Sequence, residues 1–189
     1  MKEPVGQSIQ SLFERINIQF SLQVIHYQKT QYGMDEILPG VFVGDAISAR
    51  KKKPVIQRIV NVGQIKNFAN LPSTHYLRID INDTGSNKDL DTFDKAIPLF
   101  LQFMDMVSPE VSPVLIHCQL GVSRSCSLVI VYLLAQKVCK TVDEAIEYIK
   151  AKRSVAFINR RYVYRKVIED WLAGLHSPQP LNSKTREIF

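Results

Sequence analysis

Cysteine is scarce: the 189 residues contain only three, Cys118, Cys126 and Cys139. They are too few and too clustered for a disulfide framework. They suit a reducing compartment, where a thiol stays free. Long hydrophobic runs are also missing, since no stretch approaches the ~18 apolar residues that a membrane span needs. Met1-Lys2-Glu3-Pro4 leads into no apolar h-region, so a secretory signal is not expected. Lys2 stands where N-myristoylation needs glycine. Internal repeats and low-complexity tracts are lacking as well. Charge of one sign does not dominate: 24 Lys+Arg against 18 Asp+Glu leave a net +6. That excess fits an acidic or phosphorylated partner better than bulk nucleic acid. The hydrophobic fraction, 46%, is that of a globular chain. The length favours one domain.

The pattern along the chain divides it in three: a helical extension over 1–36, a main domain over 37–174, and a polar, mobile tail over 175–189 with Pro178 and Pro180. In the extension, Ile9, Leu12, Phe13, Ile16 and Phe20 recur at helix-face spacing. That face either covers an edge of the core or docks a partner. Four short apolar runs then read as strands: Gly40–Gly44, Arg58–Val62, His75–Ile81 and Pro113–Cys118. The last is nearly continuous, as in a strand buried on both faces. Helices are expected over Phe93–Val107, Ser125–Val138, from Thr141 to about Lys150, and Arg160–Leu172. Pro98 implies a kink or a later start in the first of them. Asp91 and Thr92 look like cap material ahead of it. Thr141 and Glu144 form an N-terminal capping box, and Gly174 reads as a stop signal. Alternating strands and helices imply an α/β domain around a mainly parallel sheet.

Chemistry concentrates in one segment, Val114-Leu115-Ile116-His117-Cys118-Gln119-Leu120-Gly121-Val122-Ser123-Arg124-Ser125. It reads as strand, loop, helix. Loop N–H groups above a helix N-terminus form a cradle for an anion. Gly121 permits a backbone geometry that a side chain would obstruct. Arg124 offers a planar fork to two anionic oxygens. The same field lowers the Cys118 thiol from an ordinary pKa of about 8.5 toward or below neutrality. A thiolate beneath an oxyanion pocket is equipped to attack phosphorus. His117 points to the other side of the strand, where it orients the cysteine's backbone or steadies the loop. Ser125 can donate a hydrogen bond to the sulfur.

Cys118, five intervening residues, Arg124 and Ser125, preceded by His117, resemble the phosphate-binding loop of the cysteine-dependent protein tyrosine phosphatase superfamily. The stretch from about Ile37 to Leu172 resembles its dual-specificity branch. Leu38 to Gly44, Asn82-Asp83-Thr84 and Thr141 to Ala145 fall in that branch's order and spacing. The resemblance implies a single α/β domain with a central, mostly parallel sheet of about five strands flanked by helices. It also implies a two-step reaction without a metal or other cofactor. Cys118 attacks phosphorus to form a cysteinyl-phosphate. An aspartic acid protonates the leaving oxygen and later activates water. Asp83 matches that acid best. The distance from Asp83 to Leu90 is one residue longer than usual, which keeps Asp80 and Asp89 open. Gln119, Leu120, Gly121, Val122, Ser123 and Arg124 would bind the phosphate, and Ser125 would assist departure of the sulfur. Asn159 stands where the family has a Pro-Asn pair, with Ile158 in place of the proline. It either braces a loop or caps the last helix.

Gln119, Leu120, Val122 and Ser123 carry no charge, whereas lipid-directed relatives place lysines there. The uncharged loop speaks against a phosphoinositide, and the resemblance to the dual-specificity branch implies phosphorylated proteins carrying phosphotyrosine, phosphoserine or phosphothreonine as partners, with no nucleic acid and no membrane span expected. A phosphoprotein-binding module without turnover, or a phosphoinositide phosphatase, are the alternatives. Arg50-Lys51-Lys52-Lys53 and Arg160-Arg161 with Arg165-Lys166 are basic clusters, either solvated surface or docking sites. Cys126 is either a resolving thiol or a small buried residue. A free nucleophilic thiol places the expected residence in cytoplasm, nucleus or both.

Overall fold

The computed structural model describes residues 33–51, 55–66, 75–157 and 162–176. The apolar face over Ile9–Phe20, the pair Ile158–Asn159, Arg160, Arg161, and residues 177–189 lie outside them.

Five strands form one sheet in the order β1-β2-β5-β3-β4. They are β1 (Met34–Leu38), β2 (Val41–Gly44), β3 (Arg58–Val62), β4 (Tyr76–Ile79) and β5 (Val114–His117). Only β1 runs antiparallel, against β2; the other pairings are parallel. Gly44 and Asn61 both sit level with His117, and Val62 sits level with Ile79. The carboxyl ends of four strands therefore share one edge, where α/β sheets place ligand sites.

β5 is central, and all four of its residues are buried. Val114 and Ile116 join the main core with Val41, Val43, Val60 and Val62. Leu115 points the other way, into a small cluster with Ala49, Ile56 and Ile59. Side chains alternate across a strand, so burial on both faces requires both faces of the sheet to be covered.

The helices are α1 (Ala46–Lys51), α2 (Asn87–Asp105), α3 (Arg124–Ala135), α4 (Val142–Lys152) and α5 (Arg165–His176). Every residue of α3 from Ser125 to Leu134 is buried, and this helix lies against β2, β3 and β5. Helix α4 begins as expected: the Thr141 hydroxyl accepts from Glu144 N–H at 3.2 Å. The Glu144 carboxylate reaches Lys140 N–H, one residue before the cap.

Several elements differ from the sequence reading. β1 was not anticipated; it straddles the expected boundary at residue 37 and pairs into the sheet from Met34. Helix α1 was also not anticipated. Helix α2 starts earlier than Phe93, not later, and contains Pro98. Its first turn is polar, so the apolar periodicity begins only after it. Ser86 is the cap, and Asp91 and Thr92 lie inside the helix. Helix α3 stops at Ala135 because Lys137 takes a left-handed φ of 57°. The N–H groups of Lys137 and Val138 turn back to the Leu134 and Leu133 carbonyls, closing a Schellman motif. Gly174 does not stop α5, which continues to His176. A Cβ at Gly174 would meet nothing within 4 Å.

Candidate active site

The loop from Cys118 to Arg124 leaves the carboxyl end of β5 and enters α3. Its carbonyls are gripped from outside. Ala46 N–H reaches Gln119 O at 3.3 Å, and Phe157 N–H reaches Val122 O at 2.9 Å. Arg153 Nε donates to Gly121 O at 2.8 Å. The N–H and C=O of a trans peptide point in opposite directions. Holding these carbonyls outward turns the following N–H groups inward. Gly121 adopts φ +66°, and a Cβ there would come 2.4 Å from Gly44 O. Both the conformation and the space require glycine.

The Cys118 sulfur lies under this ring, 2% exposed. Gly121 N–H donates to it at 3.2 Å, and Ser125 Oγ lies 3.3 Å away. Burial pushes the thiol up. The Arg124 charge, Ser125 through hydroxyl and N–H, and Gly121 N–H outweigh that and hold it below its ordinary value. Cys126, in the first turn of α3, is governed by burial instead and is pushed up to about 12. Its thiol donates to Gly121 O at 3.4 Å. Cys139 is also raised by burial.

Arg124 Nη1 donates to Ile81 O at 2.9 Å, and Nε stands 3.7 Å from Asp83 Oδ2. Gly63, just past β3, makes this possible: a Cβ there would come 2.6 Å from Arg124 Nη1. His117 is fully buried, with Nδ1 3.4 Å from Cys118 O. Burial lowers it to about 4, so the ring is neutral near pH 7.

The three candidate acids are in different places. Ser123 Oγ donates to Asp83 Oδ1 at 3.2 Å, across from the phosphate loop, and the Asp83 side chain is 34% exposed. Asp80 is ion-paired with Arg78 at 2.6 Å on the surface. Asp89 is turned into the loop after β4. Its Oδ1 accepts Asn82 N–H at 3.2 Å, and its Oδ2 accepts the N–H and hydroxyl of Thr84. Although burial opposes it, these bonds hold the Asp89 carboxyl below the usual range. Asp89 thus shapes the segment that carries Asp83. Tyr164 adds a second support, stacking on Phe93 at 4.3 Å and donating to Asn82 O at 2.9 Å. Burial, then the charges of Asp83 and Asp89, raise its pKa and keep it a donor.

The structure brings Cys118, Arg124, Ser125 and Asp83 together and lines them with Gln119 to Ser123. Asn159 lies outside the described residues. Sequence alone did not single out Gly63, Arg153 or Tyr164, and it left Asp89 as an alternative acid, a helix cap or a solvated loop residue, not as the brace of the Asp83 segment. Gly63, Arg153 and Tyr164 act on residues far away in sequence and leave no local pattern, whereas Asp89 folds back on Asn82 and Thr84 in its own loop.

The family model described as "Dual specificity phosphatase, catalytic domain" matches residues 41–169. The chain belongs to this family. Rat dual specificity protein phosphatase 5 is 33% identical over 159 residues, covering 79% of this chain and 39% of that one. Human dual specificity protein phosphatase 13B is 31% identical over 132 residues, 65% of each chain. The chain therefore spans well under half of the rat relative's length. Among solved structures, the human tyrosine phosphatase-like serine/threonine/tyrosine-interacting protein superposes with a TM-score of 0.64 at 26% identity. It covers 78% of this dual specificity phosphatase chain and all of its own. No helix among the described residues is long and apolar enough to cross a membrane.

Proposed function

We propose that this chain hydrolyses phosphotyrosine and phosphoserine or phosphothreonine in proteins through a cysteinyl-phosphate. One observation carries the reading: donors from Gly121 and Ser125 converge on a Cys118 thiol held below its ordinary value, with Asp83 facing it from another loop.

In the first step the Cys118 sulfur attacks phosphorus, and the bond from phosphorus to the leaving oxygen breaks. Asp83 gives that oxygen its proton. The inward N–H groups of the loop and the Arg124 fork hold the three other oxygens. In the second step Asp83, now a carboxylate, takes a proton from water as the water attacks phosphorus. The sulfur–phosphorus bond breaks, and the Ser125 hydroxyl donates to the departing thiolate. His117 stays neutral and steadies the Cys118 carbonyl; Asn159, on the family resemblance alone, is assigned the bracing of the acid loop or the phosphate loop. These steps use side chains and backbone alone.

Gln119, Leu120, Val122 and Ser123 carry no charge, which favours phosphoproteins over phosphoinositides. A thiol that must remain reduced favours cytoplasm or nucleus. The name of the human structural neighbour, which calls that protein phosphatase-like and interacting, motivates one rival reading: binding without turnover. Hydrolysis of an aryl phosphate and a phosphopeptide panel in the presence of a chelator decides between them. Turnover abolished by Cys118→Ser supports the enzyme. Phosphopeptide binding without turnover supports the rival.

A further inference from the structure

Helix α4 ends against the back of the phosphate loop, and the turn after it touches that loop twice. Arg153 Nε donates to Gly121 O at 2.8 Å. Phe157 N–H donates to Val122 O at 2.9 Å. The turn between them is folded on itself, with Ala156 N–H on Arg153 O at 2.9 Å, and it is tied to α4 through Arg153 N–H on Ile149 O at 2.8 Å. Phe157 is buried and held at φ 54°, a conformation that a bulky side chain adopts only when its surroundings impose it.

The Arg153 side chain is completely buried. A guanidinium there needs a counter-charge and a filled set of acceptors. Strand β1 and the residue before it supply both: Nη1 pairs with the Asp35 carboxylate and lies 3.4 Å from Gly33 O. The guanidinium is planar, so anchors on β1 at one end and Gly121 at the other fix its plane. A charged donor on the Gly121 carbonyl also polarises that peptide. Its N–H belongs to Val122 and points the opposite way, into the cradle.

We propose that Arg153, keyed to strand β1 by Asp35, is a positioning residue that aims the Val122 N–H at the bound oxyanion, with Phe157 holding the next peptide in the same sense. The inference rests on the phosphatase reading for the identity of the anion. It gives the antiparallel edge strand a purpose, since β1 then sets the back of the phosphate loop.

The test reads anion binding apart from turnover. Inorganic phosphate is titrated calorimetrically into wild type, Asp35→Asn, Asp35→Glu and Arg153→Lys, with Tm recorded for each. Asp35 is 42% exposed and asparagine keeps an acceptor for Nη1, so Asp35→Asn is a milder change than any at Arg153, and Tm identifies the variants that stay folded. Folded Asp35→Asn binds phosphate about tenfold more weakly, the size of one charge-assisted bond lost, and Asp35→Glu recovers most of it. The pH at which iodoacetate half-alkylates Cys118 is the second readout and rises in Asp35→Asn. Wild-type phosphate affinity and an unmoved alkylation midpoint in folded Asp35→Asn overturn the clamp. Phosphate bound by a wild type that turns over no phosphopeptide overturns the phosphatase reading and leaves the clamp intact.

Discussion

Ser123 caps α3 by position, but its hydroxyl donates to Asp83 at 3.2 Å instead of to its own helix. A capping group is thereby diverted to hold a carboxylate from a loop 40 residues earlier in the chain. The segment before α2 and the segment before α3 are joined at the point where a phosphate would be handled from two sides. That connection separates Asp83 from Asp80, on a surface pair with Arg78, and from Asp89, committed to Asn82 and Thr84.

Asp83→Ala is expected to cut kcat on phosphopeptides by about 10²–10⁴-fold, because their leaving oxygens need a proton. Activated aryl phosphates are affected less. Asp80→Ala leaves kcat near wild type. Steady-state kinetics on a phosphopeptide and an activated aryl phosphate check this; equal losses on both substrates remove Asp83 from the acid role.

Ser125→Ala removes a donor from a charged sulfur, a loss of about 1.5–3 kcal/mol. The thiolate is then harder to form and a worse leaving group. The Cys118 pKa is lowered in the folded protein, so the reactive form persists above that value and is lost as pH falls through it. In Ser125→Ala the acid limb of kcat/KM moves to higher pH. A burst of product followed by slow turnover shows the delayed second step in rapid-quench measurements. An unmoved acid limb and no burst deny Ser125 the role.

His117 is buried with its pKa lowered from 6.5 to about 4. Between those values the unfolded chain holds the proton and the folded one does not, so stability rises with pH. Folding is therefore about 3 kcal/mol less favourable below pH 4 than above pH 6.5, from this group alone. Urea melts at pH 7 and pH 5 read about 2 kcal/mol of it. His117→Gln flattens the slope; an unchanged slope in that variant refutes the assignment.

Residues that act together while adjacent in the chain were legible. Cys118 to Ser125 form one strand-loop-helix unit, so spacing alone predicts their convergence. β3 was readable to its last residue, because the β-branched Ile59, Val60 and Val62 mark a buried strand and Gly63 closes the run. β1 was not, since Met34–Leu38 carries Asp35 and Glu36 within five residues and only one of the five is buried. Asp35 is there for Arg153, and Glu36 for Gly40 N–H at 2.8 Å. Polar roles set by distant partners erased the strand's hydrophobic signature. The start of α2 was hidden for the same reason, because Asp89 points back into the loop.

Lys137 holds a left-handed conformation at the end of α3, where glycine costs nothing. Its side chain is exposed. Lys137→Gly is expected to stabilise the fold by about 0.5–1 kcal/mol. A thermal melt of the variant reads the change, and a lower Tm contradicts it.

Gly63→Ala tests the seat of Arg124. The glycine sits at φ +152°, and the added methyl would stand 2.6 Å from Arg124 Nη1, a distance no real Cβ tolerates. The backbone is anchored by Gly63 N–H on Ile79 O at 2.9 Å, so the arginine is the part that yields. Moving it breaks its 2.9 Å bond to Ile81 O and withdraws its charge from Cys118. A displacement of about 1 Å in such a group costs about 10²-fold in rate. The expected result is a fall of that order in kcat/KM with a rise in the pH of Cys118 alkylation. The positive φ at Gly63 adds backbone strain, read as a lower Tm, so the kinetics are taken below that Tm on protein whose circular dichroism matches wild type. Wild-type kcat/KM in a folded Gly63→Ala would mean that Arg124 reaches its place by another route, and that the room left by Gly63 serves the strand end and not the phosphate.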